Sequence, residues 1–377
     1  MIAEFYQSFF LVILFFLSVS VVNKNNSSLY YYGGDGIIST NKQSKLLMWG
    51  VVLFIGLRPV HTVFADTIGY VMRYENEIAM PASWNEVYYS EDIRNEWLWH
   101  FILMACARLG LPSWGWMTIV ALGYVGFALW GIKRIFQANH TYIAFLFFIS
   151  AFSFFSYAVN GLRNGLSFSV VILALTYLDD NKRDLIKFGI LSFIAYNIHH
   201  TALLPLACMA ISHFGLKSNK IAFYVWFLSI PVSLFAHSFF EAILIDLAPD
   251  DRLADNLSAQ YSGSIDSGFS RSGFRWDFLL YSVMPIILSY FVVFKNNVTD
   301  KTYTLLLNTY LLCNAFWILV IRASFSNRFA YLSWFIYPIV LAYPLLELDF
   351  TENQRKWISN ILLAHLGFTA FMHFIFY

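Results

Sequence analysis

Charge is what this sequence has least of. Only 12% of its 377 residues are charged, whereas 59% are hydrophobic, and the mean hydropathy is +0.59. A chain this poor in charge cannot cover a soluble body of its size, which excludes the soluble globular class and leaves a polytopic membrane protein. Cysteine is nearly missing: Cys106, Cys208 and Cys313 each lie in an apolar run, which excludes a disulfide framework and a cysteine metal motif. A formal net charge of +1 offers no global attraction for nucleic acid or for an acidic protein partner. No nucleotide or other cofactor signature is present, because Gly33-Gly34-Asp35-Gly36 lacks a strand-to-helix setting and reads as a cytoplasmic turn. The first apolar run, Phe5 to Val22, lacks a basic start and a small-residue cleavage site, so it reads as a retained first span.

What is present is a succession of apolar runs. Spans are expected near 5–22, 46–57, 113–132, 141–159, 165–178, 187–198, 201–214, 221–240, 276–294, 302–321, 329–346 and 357–376. The expected fold is therefore all-α, a polytopic integral membrane helix bundle of about 12 transmembrane helices. It forms one transmembrane domain over residues 1–377, with long outer loops at about 58–112 and 241–276. Loops of that length between spans suggest lids over a cavity. A further apolar piece, Trp97 to Leu111, is flanked by Glu96 and Arg108 and reads as an interfacial or re-entrant helix.

Lysine is absent from one side of this arrangement. All eleven lysines fall in alternate loops with Arg134, Arg183 and Arg355, which the positive-inside rule makes cytoplasmic, with both termini outside. The other ten arginines, at 58, 73, 94, 108, 163, 252, 271, 275, 322 and 328, lie toward the opposite face. Arginine is permanently charged and grips oxyanions with a planar fork, so this face is expected to bind phosphate or carboxylate. Arg271 and Arg275 share a face if their segment is helical.

The stretch Ser156–Ala202 organises the rest. Two apolar segments joined by the charged turn Asp179–Asp184 return to the same membrane face, so Arg163 and the His199/His200 pair should meet although 36 residues separate Arg163 from His199. Arg163 lies between Gly161 and Gly165 near a helix start, where glycine would let backbone approach a ligand. The plain alternative is a snorkelling anchor. A neutral imidazole at His199 or His200 could orient phosphate or take a proton from a sugar hydroxyl, although a hydrogen-bonded structural histidine is common in membranes. Metal binding is not indicated, since no second ligand cluster accompanies the pair. Asp66 and Glu96 are the outer carboxylates placed for acid or base work, with a salt bridge to Arg58 or Arg94 as the plain role. Arg322 and Arg328 bracket a short outer turn and would repel one another without an anion. Trp97, Trp99, Trp114 and Trp116 are candidates for stacking on sugar rings.

Several short motifs carry a resemblance. Gly56-Leu57-Arg58-Pro59, Asp66-Thr67 with Tyr70, Glu96-Trp97-Leu98, Gly161-Leu162-Arg163-Asn164-Gly165-Leu166, His199-His200-Thr201-Ala202 and Asn327-Arg328-Phe329-Ala330-Tyr331 resemble the marks of EpsG-type proteins. These are Wzy-like polymerases of bacterial exopolysaccharide, capsule and O-antigen. Ala65 departs from the glycine common before Asp-Thr, and Asn164 from the glutamine that often follows the arginine. The resemblance implies transfer of a growing glycan from undecaprenyl diphosphate to a lipid-linked repeat unit, on the periplasmic or outer side of the inner membrane. It implies His199, Asp66 and Glu96 as catalytic candidates. Arg163, Arg328, Arg322, Arg58, Arg252, Arg275 and His200 would then hold diphosphate, with no cofactor and no metal needed in principle. The partners implied are undecaprenyl-diphosphate-linked oligosaccharides and the bilayer, with a chain-length regulator as a further candidate and no nucleic acid. Two other readings compete: a ligase-like or lipid-phosphosugar glycosyltransferase making a single transfer, and a flippase of lipid-linked oligosaccharide.

Overall fold

The structure is a computed structural model that describes residues 3–26, 36–78, 96–178, 181–216, 218–246, 273–323 and 326–376. Among these residues there are helices and no strands. The protein is an integral membrane protein with an all-α bundle architecture. In chain order the helices are α1 Tyr6–Asn26, α2 Gly36–Gly56, α3 Asp66–Arg73, α4 Trp97–Arg108, α5 Ser113–Ile135, α6 Thr141–Ile149, α7 Phe152–Val159 and α8 Leu162–Leu175. They continue as α9 Lys182–Ile198, α10 Leu203–Ala210, α11 Asn219–Asp246, α12 Trp276–Tyr290, α13 Lys301–Leu319, α14 Ser326–Trp334, α15 Tyr337–Glu347 and α16 Gln354–Phe371.

Each of the twelve expected stretches is helical, but not all are long enough to cross a bilayer. Seven helical segments of the described residues have the length and apolarity to do so, and the pair α6 and α7, bent by 69°, makes up to eight. The shortfall comes from real helix ends inside apolar windows. α8 has 14 residues between Gly161 and Thr176, about 21 Å at 1.5 Å per residue, whereas a bilayer core is about 30 Å thick. Such a helix is tolerated where its end lies inside protein. Beyond its first turn it is mainly apolar, and every residue from Gly165 to Leu175 is buried.

The chain groups into two compact units, Met1–Leu203 with Ala342–Tyr377, and Leu204–Leu341. In the first unit α8 packs between α5 and α9. The α5 contact is close because Gly131 has no side chain: a Cβ there would lie 2.7 Å from Ile172 Cγ2. Small residues of this kind let membrane helices approach. In the second unit several buried polar groups satisfy one another. Trp226 Nε1 donates to Asn314 Oδ1 at 2.8 Å, Asn314 Nδ2 to Ser333 Oγ at 3.0 Å, and Trp334 Nε1 to Ser282 Oγ at 2.8 Å.

The charge map has a structural counterpart along α8. At its C-terminal end Arg134 Nε donates to Thr176 Oγ1 at 2.8 Å, and the Tyr177 ring lies 4.0 Å from the Arg134 guanidinium and 5.0 Å from Lys187 Nζ. Arg163 occupies the other end. Of the expected features, Gly33–Asp35, Arg94, Asp179–Asp180, Arg252 and Arg271 lie outside the described residues. Gly36 opens α2 rather than lying in a turn.

Candidate active site around Glu96

Four elements of the first unit deliver the site. α8 and α9 form the antiparallel pair expected from the sequence, and Ser167 Oγ donates to the Ala195 carbonyl at 2.7 Å, one turn inside the ends that carry Arg163 and His199. Arg163 is the second residue of α8, and His199 is the residue at which α9 stops, its backbone extended at φ −156°. α4 begins with Glu96 at its N-cap, so the carboxylate enters at a helix N-terminus, where the backbone favours negative charge. α3 presents Thr67 and Tyr70, three residues apart and therefore on one face.

Glu96 joins the two residues that the sequence brings to one end. One carboxylate oxygen accepts from Arg163 Nη1 and the other from His199 Nδ1, and the residue is buried. Arg163 Nε donates to the Tyr70 hydroxyl at 3.2 Å, and the Tyr70 ring meets Trp99 edge to face at 5.7 Å. Around this core Thr201 Oγ1 donates to Asn164 Oδ1 at 3.0 Å, and the His200 ring stacks on Tyr196 at 4.4 Å.

The electrostatics follow from these contacts. Burial pushes the Glu96 carboxyl up, but the His199 hydrogen bond, the charge that His199 takes on in acid and the charge of Arg163 outweigh it and hold the group at about 2. Glu96 is thus an ionised acceptor. Burial lowers His199 below its ordinary value and outweighs the pull of Glu96, whose charge Arg163 already balances. The imidazole is therefore neutral near pH 7. An ionised carboxylate only accepts, so the proton is on Nδ1 and Nε2 carries the lone pair. Among the described residues, no hydrogen bond is made to Nε2 of His199 or by Nη2 of Arg163.

Other candidates are placed differently. Asp66 opens α3 with an exposed side chain, and the expected pairing with Arg58 is not made. Arg58 is 2% exposed; its Nη1 donates to the Ile55 carbonyl at 2.8 Å and its Nη2 to Thr67 Oγ1 at 2.8 Å, and Thr67 donates on to the Val159 carbonyl. It thereby closes the end of α2 and ties α3 to α7. Glu96 takes Arg163 as its guanidinium partner, in place of the Arg58 bridge that the sequence offered. Gly161 has φ −85°, and a Cβ on Gly165 would stand 2.9 Å from the Tyr157 carbonyl, so Gly165 serves helix packing rather than approach to a ligand. Trp99 and Trp116 are buried in the core and packed against tyrosines, whereas Trp97 and Trp114 are exposed.

In the second unit Arg275 grips Asp277 through Nε and Nη2, at 2.9 and 2.5 Å, over the Phe278 ring. It is the N-cap of α12. Arg322 follows α13 and lies 5.9 Å from the Phe274 ring, and Arg328 is exposed in the first turn of α14. Among the described residues no group of three or more His, Cys, Asp or Glu is arranged to hold a metal.

Tyr70 and Thr67 stood in the motifs without a role of their own. The spacing Thr67-x-x-Tyr70 was the available signal, since it puts both hydroxyls on the face that meets Arg58 and Arg163. In comparison with known proteins, the EpsG family profile fits residues 46–377. No curated protein and no solved structure matches the chain.

Proposed function

The chain belongs to the EpsG family, as a membrane protein of polysaccharide biosynthesis, and from that premise we propose that it is a polysaccharide repeat-unit polymerase. It takes a growing glycan on undecaprenyl diphosphate and transfers it to a hydroxyl of a lipid-linked repeat unit, on the outer face of the membrane. The observation that supports this reading is the Glu96 carboxylate held between Arg163 and His199.

In the reaction the acceptor oxygen bonds to the anomeric carbon as the bond from that carbon to the diphosphate oxygen breaks. The electron pair of the broken bond leaves with the diphosphate. His199 Nε2 takes the acceptor proton, as a neutral base whose tautomer Glu96 sets. Glu96 orients the imidazole and the guanidinium together and does not itself titrate near neutral pH. Arg163 balances the charge that develops on the leaving group. The same reading gives Arg322 and Arg328, in the second unit, a phosphate-binding role of their own.

Product length tests the reading. Membranes of a strain lacking the native protein, supplied with this chain and lipid-linked repeat units, should yield a ladder on a gel. A single added unit would indicate a ligase-like transferase instead. His199→Ala should keep its membrane abundance and lower turnover by about a hundredfold or more. Wild-type polymer from that variant would remove the base from this scheme.

A further inference from the structure

Two donors of the site remain unused once Glu96 is satisfied, and they lie side by side. Arg163 donates to Glu96 through Nη1 and to the Tyr70 hydroxyl through Nε, which leaves Nη2 without a partner among the described residues. The Tyr70 oxygen accepts from Nε, so its own proton points elsewhere, and among the described residues it has no acceptor. In a guanidinium the Nε and Nη2 protons share one edge, so a group bound to Nη2 on that edge is also next to the Tyr70 hydroxyl. The N-terminus of α8, where Arg163 is the second residue, adds its partial positive charge. Glu96 holds the opposite side of the fork and confines an anion to this edge.

We propose that Tyr70 and Arg163 Nη2 form an oxyanion seat for a phosphate oxygen, and that Tyr70 is a catalytic residue that donates a hydrogen bond to the departing diphosphate. This rests on the polymerase reading and adds a residue and a leaving-group contact to it. The oxygen that breaks from the anomeric carbon keeps the bonding electron pair and accepts from the Tyr70 hydroxyl and from Nη2. Tyr70 keeps its proton, because the proton lost by the acceptor goes to His199. Tyr70 is fixed for this role by the Trp99 ring against its side, and its removal leaves the apolar contact intact when phenylalanine replaces it.

The test uses the full chain in lipid nanodiscs and inorganic pyrophosphate as the probe, with binding measured by calorimetry so that activity is not required. Wild type and His199→Ala should bind pyrophosphate alike. Tyr70→Phe should bind it about tenfold or more weakly, the loss expected for a hydrogen bond to a charged group. In polymer synthesis Tyr70→Phe should lower kcat by about a hundredfold with KM for the acceptor unchanged, as for removal of one oxyanion donor. Tyr70→Met keeps the packing on Trp99 and serves if the phenylalanine variant is poorly produced. Equal pyrophosphate affinity in wild type and Tyr70→Phe, or no pyrophosphate binding by wild type, overturns the seat. A His199→Ala protein that still makes full ladders overturns the polymerase mechanism, and pyrophosphate binding then decides the seat separately.

Discussion

The Glu96 carboxylate accepts the Nδ1 proton of His199, and this one contact sets which nitrogen of the imidazole can act as a base. It also makes the pH profile predictable. In the proposed reaction the active form of His199 is neutral, and burial holds the group below its ordinary 6.5. Polymer synthesis should therefore be level through neutral pH and fall only as the pH drops below about 6.5. Glu96→Gln removes the charge that pulls His199 upward, so the acid limb should shift to still lower pH while the plateau falls. Glu96 itself, held at about 2 against 4.5 unfolded, contributes stability in full above pH 4.5 that is lost as the pH falls toward 2. The acid limb thus belongs to His199 and is not unfolding through Glu96. A wild-type limb centred above 6.5, in initial rates across pH 4.5–8, would contradict the neutral-base assignment.

Arg163→Lys should be nearly as damaging as Arg163→Ala. A lysine ammonium has three donors, but they radiate from one atom, so it cannot span Glu96 and Tyr70 as the separate Nη1 and Nε of the planar fork do. A snorkelling anchor would accept lysine readily. Gel ladders from both variants, scored at equal membrane abundance, decide the matter. Full ladders from Arg163→Lys would reduce the residue to an anchor.

Gly165→Ala should lower membrane abundance, and Gly161→Ala should not. A Cβ at Gly165 would press on the Tyr157 carbonyl at 2.9 Å, where backbone must shift, an overpacking cost of about 1–3 kcal/mol. At Gly161 the nearest atom is 3.4 Å away, an ordinary contact. Thermal denaturation of the two purified variants in detergent checks this. Equal midpoints would mean that α7 yields at this position.

Ala65→Gly should stabilise the protein. Ala65 caps α3 at φ 31° and ψ −98°, a left-handed conformation that strains any residue with a Cβ by about 1–3 kcal/mol. Glycine removes that strain and loses about 0.5–1 kcal/mol of backbone entropy, so a net gain of about 1 kcal/mol is expected. The readout is the thermal midpoint of the variant against wild type. A lower midpoint would show that the strain at this cap is not relieved by glycine.

Orientation has its own test. A reporter active only outside the cytosol should be active when fused after Tyr377 and when inserted near Ser264, positions that the lysine pattern assigns to the opposite side. Inactivity at both positions would reverse the assignment of faces and place the Glu96 site toward the cytoplasm.

Low charge and repeated apolar runs determined the membrane class and the all-helical architecture, because transfer into lipid depends on summed local composition. The meeting of Arg163 with His199 was legible too, since two antiparallel helices joined by a short turn must bring their far ends together. The length of α8 was not legible, as an apolar window does not reveal where Gly161 and Thr176 end the helix. Nor were the partners of the charges. Glu96 reaches Arg163 across 67 positions and His199 across 103, while Arg58 turns away into a buried bond with Thr67. Local pattern places a residue on an element and at one of its ends. Which oxygen then meets which nitrogen depends on side-chain direction and on long-range packing, and those only the tertiary structure decided.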